Sequence, residues 1–169
     1  MSSESFPKLI PAFTIQIPIQ PPAPVGTLST SSTLFHVPFV PESGFLRSEP
    51  NYPISVSASI VHGADYIKVD PSGAHARLEV QSTLRTAGGY IRYNYTGTVD
   101  LNSPAGKVLR GEADAATTPF GFLFARPTFE TGVAGLKELE NKVYVASGRF
   151  VLEDGKPVIV EYKISEVVA

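Results

Sequence analysis

The chain has no cysteine and no tryptophan, and only one methionine among its 169 residues. Without cysteine there are no disulfides, no thiolate metal ligands and no thiol nucleophile. Histidine is scarce as well. His36, His62 and His75 never fall into a two-histidine ligand spacing, so no zinc site is expected. Charge of one sign is also lacking: 14 basic against 16 acidic residues leave a net charge of −2, and the pI is about 5.9. That balance gives no electrostatic footprint for nucleic acid. No apolar run reaches membrane-spanning length, and the polar start from Met1 to Lys8 has no apolar signal core. The expectation is therefore one cytoplasmic domain over residues 1–169, with residues 1–11 a flexible arm, no membrane contact and no cofactor.

What is present is proline early and alternation throughout. Ten of the fifteen prolines lie in the first 53 residues, which predicts edges, arms and turns there. Phe13, Ile15, Ile17 and Ile19 alternate with polar partners, as a half-buried strand requires. Ile54, Val56, Ala58 and Ile60 repeat the pattern, and Ala76, Leu78, Val80, Ser82 and Leu84 show it most cleanly. Ile91, Tyr93 and Tyr95 carry the next strand, joined to the last by the glycine turn Thr86-Ala87-Gly88-Gly89. Further strands are expected over 121–130, 142–151 and 157–165, with Asp154-Gly155 turning the final hairpin. Helical signal is confined to a turn or two within Pro104–Ala116 and one turn near Leu136–Asn141. Many short antiparallel strands must hide their edges, and closure does this best. The fold class expected is all-β: a closed antiparallel β-barrel of about eight to ten strands with one or two short helical turns. A sandwich is the alternative.

No phosphate loop, nucleophile elbow or metal cluster occurs. Aromatic residues make up 10% of the chain. Tyr93 and Tyr95 share one strand face; Phe120, Phe122, Phe124 and Arg126 share another. Such rings either fill the core or line a lumen that holds a flat ligand. The stretch Phe120 to Glu130 is expected to line a barrel opening, with Phe122 and Phe124 as the apolar floor and Arg126 and Glu130 on the same face, about 13 Å apart, bracketing a ring system. Pro127 between them is a possible source of a phase-changing bulge. Glu49 with Arg47 is the second choice of acid and anion holder. His62 is a strand-end residue available for substrate contact. Asp65, in His62-Gly63-Ala64-Asp65-Tyr66, reads as turn chemistry.

Several phrases in order carry a family resemblance: His62-Gly63-Ala64-Asp65-Tyr66, Leu84-Arg85-Thr86, Asn94-Tyr95-Thr96-Gly97, Thr117-Thr118-Pro119-Phe120-Gly121, Phe129-Glu130-Thr131-Gly132, Leu139-Glu140-Asn141, Gly148-Arg149-Phe150 and Glu161-Tyr162. Over residues 12 to 167 the chain resembles the fungal branch of the family called domain of unknown function 3237. Tyr66 stands where a tryptophan is common there. The resemblance implies a calycin-like barrel that assembles into homo-oligomers. For some fungal members it also implies cofactor-free cyclisation of aromatic polyketides, by adding a phenol hydroxyl across an alkene. On that reading Arg126 or Arg47 holds oxygen substituents of a small aromatic substrate and Glu130 or Glu49 delivers the proton. Tyr93, Tyr95, Phe122, Phe124 and His62 contact the substrate. A non-catalytic carrier of a hydrophobic metabolite and a structural oligomer are the alternatives.

Overall fold

A computed structural model describes residues 3–169. The strands are β1 (Lys8–Pro18), β2 (Ala23–Thr27), β3 (Thr33–Pro38), β4 (Phe45–Ser48) and β5 (Ser57–Val69). They continue with β6 (His75–Thr86), β7 (Gly89–Asp100), β8 (Leu123–Thr131), β9 (Tyr144–Val151) and β10 (Ile159–Val168). One short helix, α1 (Pro104–Leu109), links β7 to β8, and a 3₁₀ turn spans Lys137–Asn141. Every strand pair is antiparallel. The ring β5-β4-β1-β10-β9-β8-β7-β6 closes through the β5–β6 pairing, an eight-stranded barrel, and β2 and β3 form an added hairpin. Closure removes the sandwich alternative. Among the described residues no helix is long and apolar enough to cross a membrane.

The edge of β5 that faces away from β6 is shared. β4 pairs with its first residues, Ser57–Ser59, and β3 with its last, Ala64–Val69. Between these stretches β5 carries a bulge: Ile60 faces Leu84 and His62 faces Thr83, so Val61 is the extra residue. Ala58 and Ile60 point into the barrel before the bulge, and Gly63, Asp65 and Ile67 do so after it. The expected turn at 62–66 is therefore corrected to mid-strand. The expected arm is corrected too: from Lys8 to Pro11 the chain pairs with Ser165–Val168. The first two residues of that arm lie outside the described residues.

The core is layered along the barrel axis. At the end where β1 begins, Phe13 packs on Tyr52, Phe129 and Tyr144, with ring centroids 5.0, 5.5 and 5.8 Å away. The Tyr52 hydroxyl donates to Glu166 Oε2 at 2.6 Å and lies 2.8 Å from the Tyr144 hydroxyl, while Lys142 Nζ reaches Glu166 Oε1 at 2.8 Å. Burial pushes the Glu166 carboxyl up, but the bonds from Lys142 and Tyr52 outweigh it and hold the group below its ordinary value. Burial raises Tyr144 to about 12. This satisfied polar cluster plugs the lower end. Tyr93, Tyr95 and Tyr162 fill the middle. The upper end, where β7 turns into α1 and the β2–β3 hairpin stands, is open.

Candidate functional site

β8 runs without a bulge, and its register against β7 is continuous from Leu123 to Thr131. Leu123, Ala125, Pro127, Phe129 and Thr131 point inward. Arg126 and Glu130 do share a face, but it is the outer one, which corrects the expected placement at a barrel opening. Glu130 is 61% exposed and pairs with Arg92 at 2.9 Å. Arg126 is exposed, with Nη2 3.3 Å from Thr96 Oγ1. Phe124 is 56% exposed and Phe122, just before the strand, is half-buried, so neither forms a lumen floor. The reason is volume: Tyr95 stands directly opposite Pro127 and Tyr93 opposite Phe129, so rings from β7 occupy the space that larger inward residues on β8 would need. Glu130→Gln and Arg126→Ala are accordingly expected to shift stability by less than about 0.5 kcal/mol, as surface changes do. They are also expected to leave any turnover unchanged, which denaturant melts and product assays will check.

The second pair is also on the outside. Arg47 is exposed, its guanidinium 4.4 Å from the Phe45 ring centroid. Glu49 accepts a hydrogen bond from Thr14 Oγ1 and lies 3.5 Å from Lys163 Nζ. The Thr14 bond, aided by the Lys163 charge, holds Glu49 below the usual carboxylate range, the wrong direction for a proton donor near neutrality. His62 is exposed and borders an outer-surface groove of about 680 Å³ with His36, Tyr66, Tyr90 and Arg92.

Of the expected contact residues, Tyr93 and Tyr95 face the interior, 5.6 Å apart, and Tyr95 meets Tyr162 edge-on at 5.0 Å. The hydroxyls of Tyr93 and Tyr162 are buried and make no hydrogen bond of normal geometry among the described residues. Buried hydroxyls without such a bond are rare in cores.

The residue that sequence reasoning passed over is Asp65. The β5 bulge turns it inward, where it is 6% exposed. Its Oδ1 accepts the Glu79 backbone N–H at 3.0 Å, and no ion pair reaches it among the described residues. Burial is the largest influence and raises its pKa to about 7, against the lowering effect of the Glu79 amide. Asp65, Tyr95 and Tyr162 line a central cavity of about 20 Å³, room for one water molecule. Burial, with the Asp65 charge adding to it, holds both tyrosines well above their ordinary value.

Above this cavity opens a cleft of about 610 Å³ at the barrel mouth. Phe35, Val69, Leu101 and Leu109 give it apolar walls, and Arg110 sits on its rim. Val37, Ile67 and Leu109 line both spaces and form the partition between them. Near this mouth Phe39 is in the core and Phe35 is in the cleft wall, whereas Phe45 lies outside beneath Arg47. Among the described residues no group of three His, Cys, Asp or Glu side chains is placed to hold a metal ion.

None of the curated proteins compared with the sequence matches it. Solved structures share the fold at low identity. A conserved protein of unknown function from Rhodopseudomonas palustris superposes with a TM-score of 0.75 at 20% identity, over 96% of this chain and 99% of that one. A β-barrel-like protein from Acinetobacter baumannii gives 0.71 at 20% identity, over 99% and 100%. A protein described as an enzyme from Penicillium herquei gives 0.62 at 13% identity, over 99% of each chain. The family model described as "Protein of unknown function (DUF3237)" matches residues 7–167, so the chain belongs to that family.

Proposed function

We propose that the barrel is a cofactor-independent cyclase that closes an oxygen heterocycle on an aromatic polyketide phenol, with Asp65 as the proton-transfer group beneath the mouth. The observation that carries this is a carboxyl buried without a cationic partner among the described residues, in a small cavity beneath the floor of an apolar cleft, and poised near neutrality. The reaction is an isomerisation and its protons balance at one residue. Asp65 gives its proton to one alkene carbon, the phenol oxygen bonds to the other, and the phenolic proton returns to the carboxylate. The faces of Tyr95 and Tyr162 stabilise positive charge that develops on carbon. Holding hydroxyl and alkene together in the cleft supplies further acceleration. For the substrate's reacting end to reach the acid, Leu109, which lines both spaces, has to move aside. That a similar barrel is described as an enzyme supports a catalytic reading. The test is incubation with an ortho-prenylated phenol and detection of a cyclic ether of unchanged mass.

The partition favours a second reading, in which a hydrophobic metabolite sits in the mouth and never meets Asp65. This carrier binds the same phenols and returns them unaltered.

We also propose that copies of the chain associate through an outer apolar row. Leu9 is paired with Val167, which bonds to Val143, and both Leu9 and Val143 are largely exposed. Sedimentation at micromolar concentration is expected to show a multiple of 18.1 kDa, and a lone species of that mass overturns the proposal.

A further inference from the structure

Among the described residues, Arg110 is the only charged one lining the mouth. Two of its contacts fix the side chain: Nη1 donates to the Leu101 carbonyl at 2.9 Å, and Nε donates to Glu112 Oε1 at 2.9 Å. The fold accommodates this posture at Gly106. A β-carbon there would come within 2.0 Å of the Leu101 carbonyl oxygen and 2.8 Å of Arg110 Nη1. Only glycine leaves room for the guanidinium to lie back across the helix onto that carbonyl. Although Arg110 is half exposed, these contacts restrict its rotamers, so ligand binding has less of it to order. A guanidinium has five N–H donors, and those not used by Leu101 and Glu112 are uncommitted among the described residues.

We infer that Arg110 recognises an anionic oxygen on the ligand, so that the mouth takes flat apolar compounds bearing a carboxylate or ionised phenol at the end that stays near solvent. The inference rests on the reading of the mouth as the ligand site and extends it to a substrate class. Phe35, Val69, Leu101 and Leu109 contact the ring system, while the one cation among the described lining residues is at the rim. An anion placed there is partly shielded from water by these walls, which strengthens its bond to the guanidinium. Glu112 is the built-in competitor for that guanidinium.

The experiment is equilibrium binding of 2-naphthoate and of its neutral methyl ester, each followed by ligand fluorescence. The wild-type protein is expected to prefer naphthoate by about ten-fold, the scale of a charge-assisted hydrogen-bonded pair. Arg110→Met removes the preference, bringing naphthoate affinity down to that of the ester. Should that variant fail to fold, Glu112→Gln serves: freeing the guanidinium tightens naphthoate binding and leaves the ester as before. Equal binding of the two probes by wild-type protein overturns the Arg110 assignment alone. So does a preference that survives Arg110→Met or is unmoved by Glu112→Gln. If neither probe binds, the mouth is not a ligand site, and both readings fall.

Discussion

Asp65→Asn is expected to reduce ring closure by at least about 10³-fold, the upper part of the range for a general acid–base group, while making the protein more stable at pH 8. The Asn Oδ1 still accepts the Glu79 amide, so the strand geometry persists. The folded-state pKa of Asp65 is about 7 and its ordinary value 3.8, so the folded chain holds this proton more tightly than the unfolded chain does. Its unfavourable effect is absent below pH 4, grows as pH rises from about 4 to 7, and is constant above that. The full difference is of order 4 kcal/mol. Melting temperatures of wild type and variant, measured from pH 4 to 8, should therefore diverge with rising pH, the variant gaining. Subtracting the two curves removes carboxylates whose pKa is lowered, such as Glu49 and Glu166, which contribute equally to both. A flat difference curve, or an active Asp65→Asn protein, would sink the assignment.

Phe13→Ala carries the largest stability loss we expect, about 3–5 kcal/mol. Phe13 is 0% exposed and touches three aromatic rings. Its removal leaves a void that the hydrogen-bonded Tyr52, Tyr144 and Glu166 resist collapsing into. In a domain of this size the melting temperature should fall by roughly 10 °C. Because Phe13 belongs to the plug and Asp65 to the layer under the mouth, turnover per folded molecule at 25 °C should be nearly unchanged. A large loss of rate without a loss of stability would show that the two ends are coupled.

The barrel was legible in the sequence wherever alternation was clean and the turns carried glycine. β6 and β7 are the clearest case, with residues 76–84 and 91–95 facing as their pattern requires. β8 was harder, because both of its faces carry phenylalanine. Periodicity says that Phe122, Phe124 and Arg126 lie on one side, but not which side. That depends on Tyr93 and Tyr95, contributed by a different strand, which leave room only for Ala125 and Pro127 between Leu123 and Phe129. Asp65 was hidden for another reason. Gly63-Ala64-Asp65 is good turn chemistry, and the bulge at Val61 breaks the period that would have marked the segment as strand. The available hint was that Ile60, Gly63, Asp65 and Ile67 fall on one face once a single residue is skipped.

The extra residue in β5 is a place where chain length can change without changing the chemistry inside. With Val61 deleted, Ile60–Leu84 and His62–Thr83 become successive pairs, and Ile60, Gly63, Asp65 and Ile67 still face inward by plain alternation. What goes is the Val61 carbonyl that accepts the Glu42 N–H at 3.2 Å, at the point where the β5 edge passes from β4 to β3. Chains of this architecture that are one residue shorter there should therefore keep the acidic chamber and differ in how the loop before β4 is held.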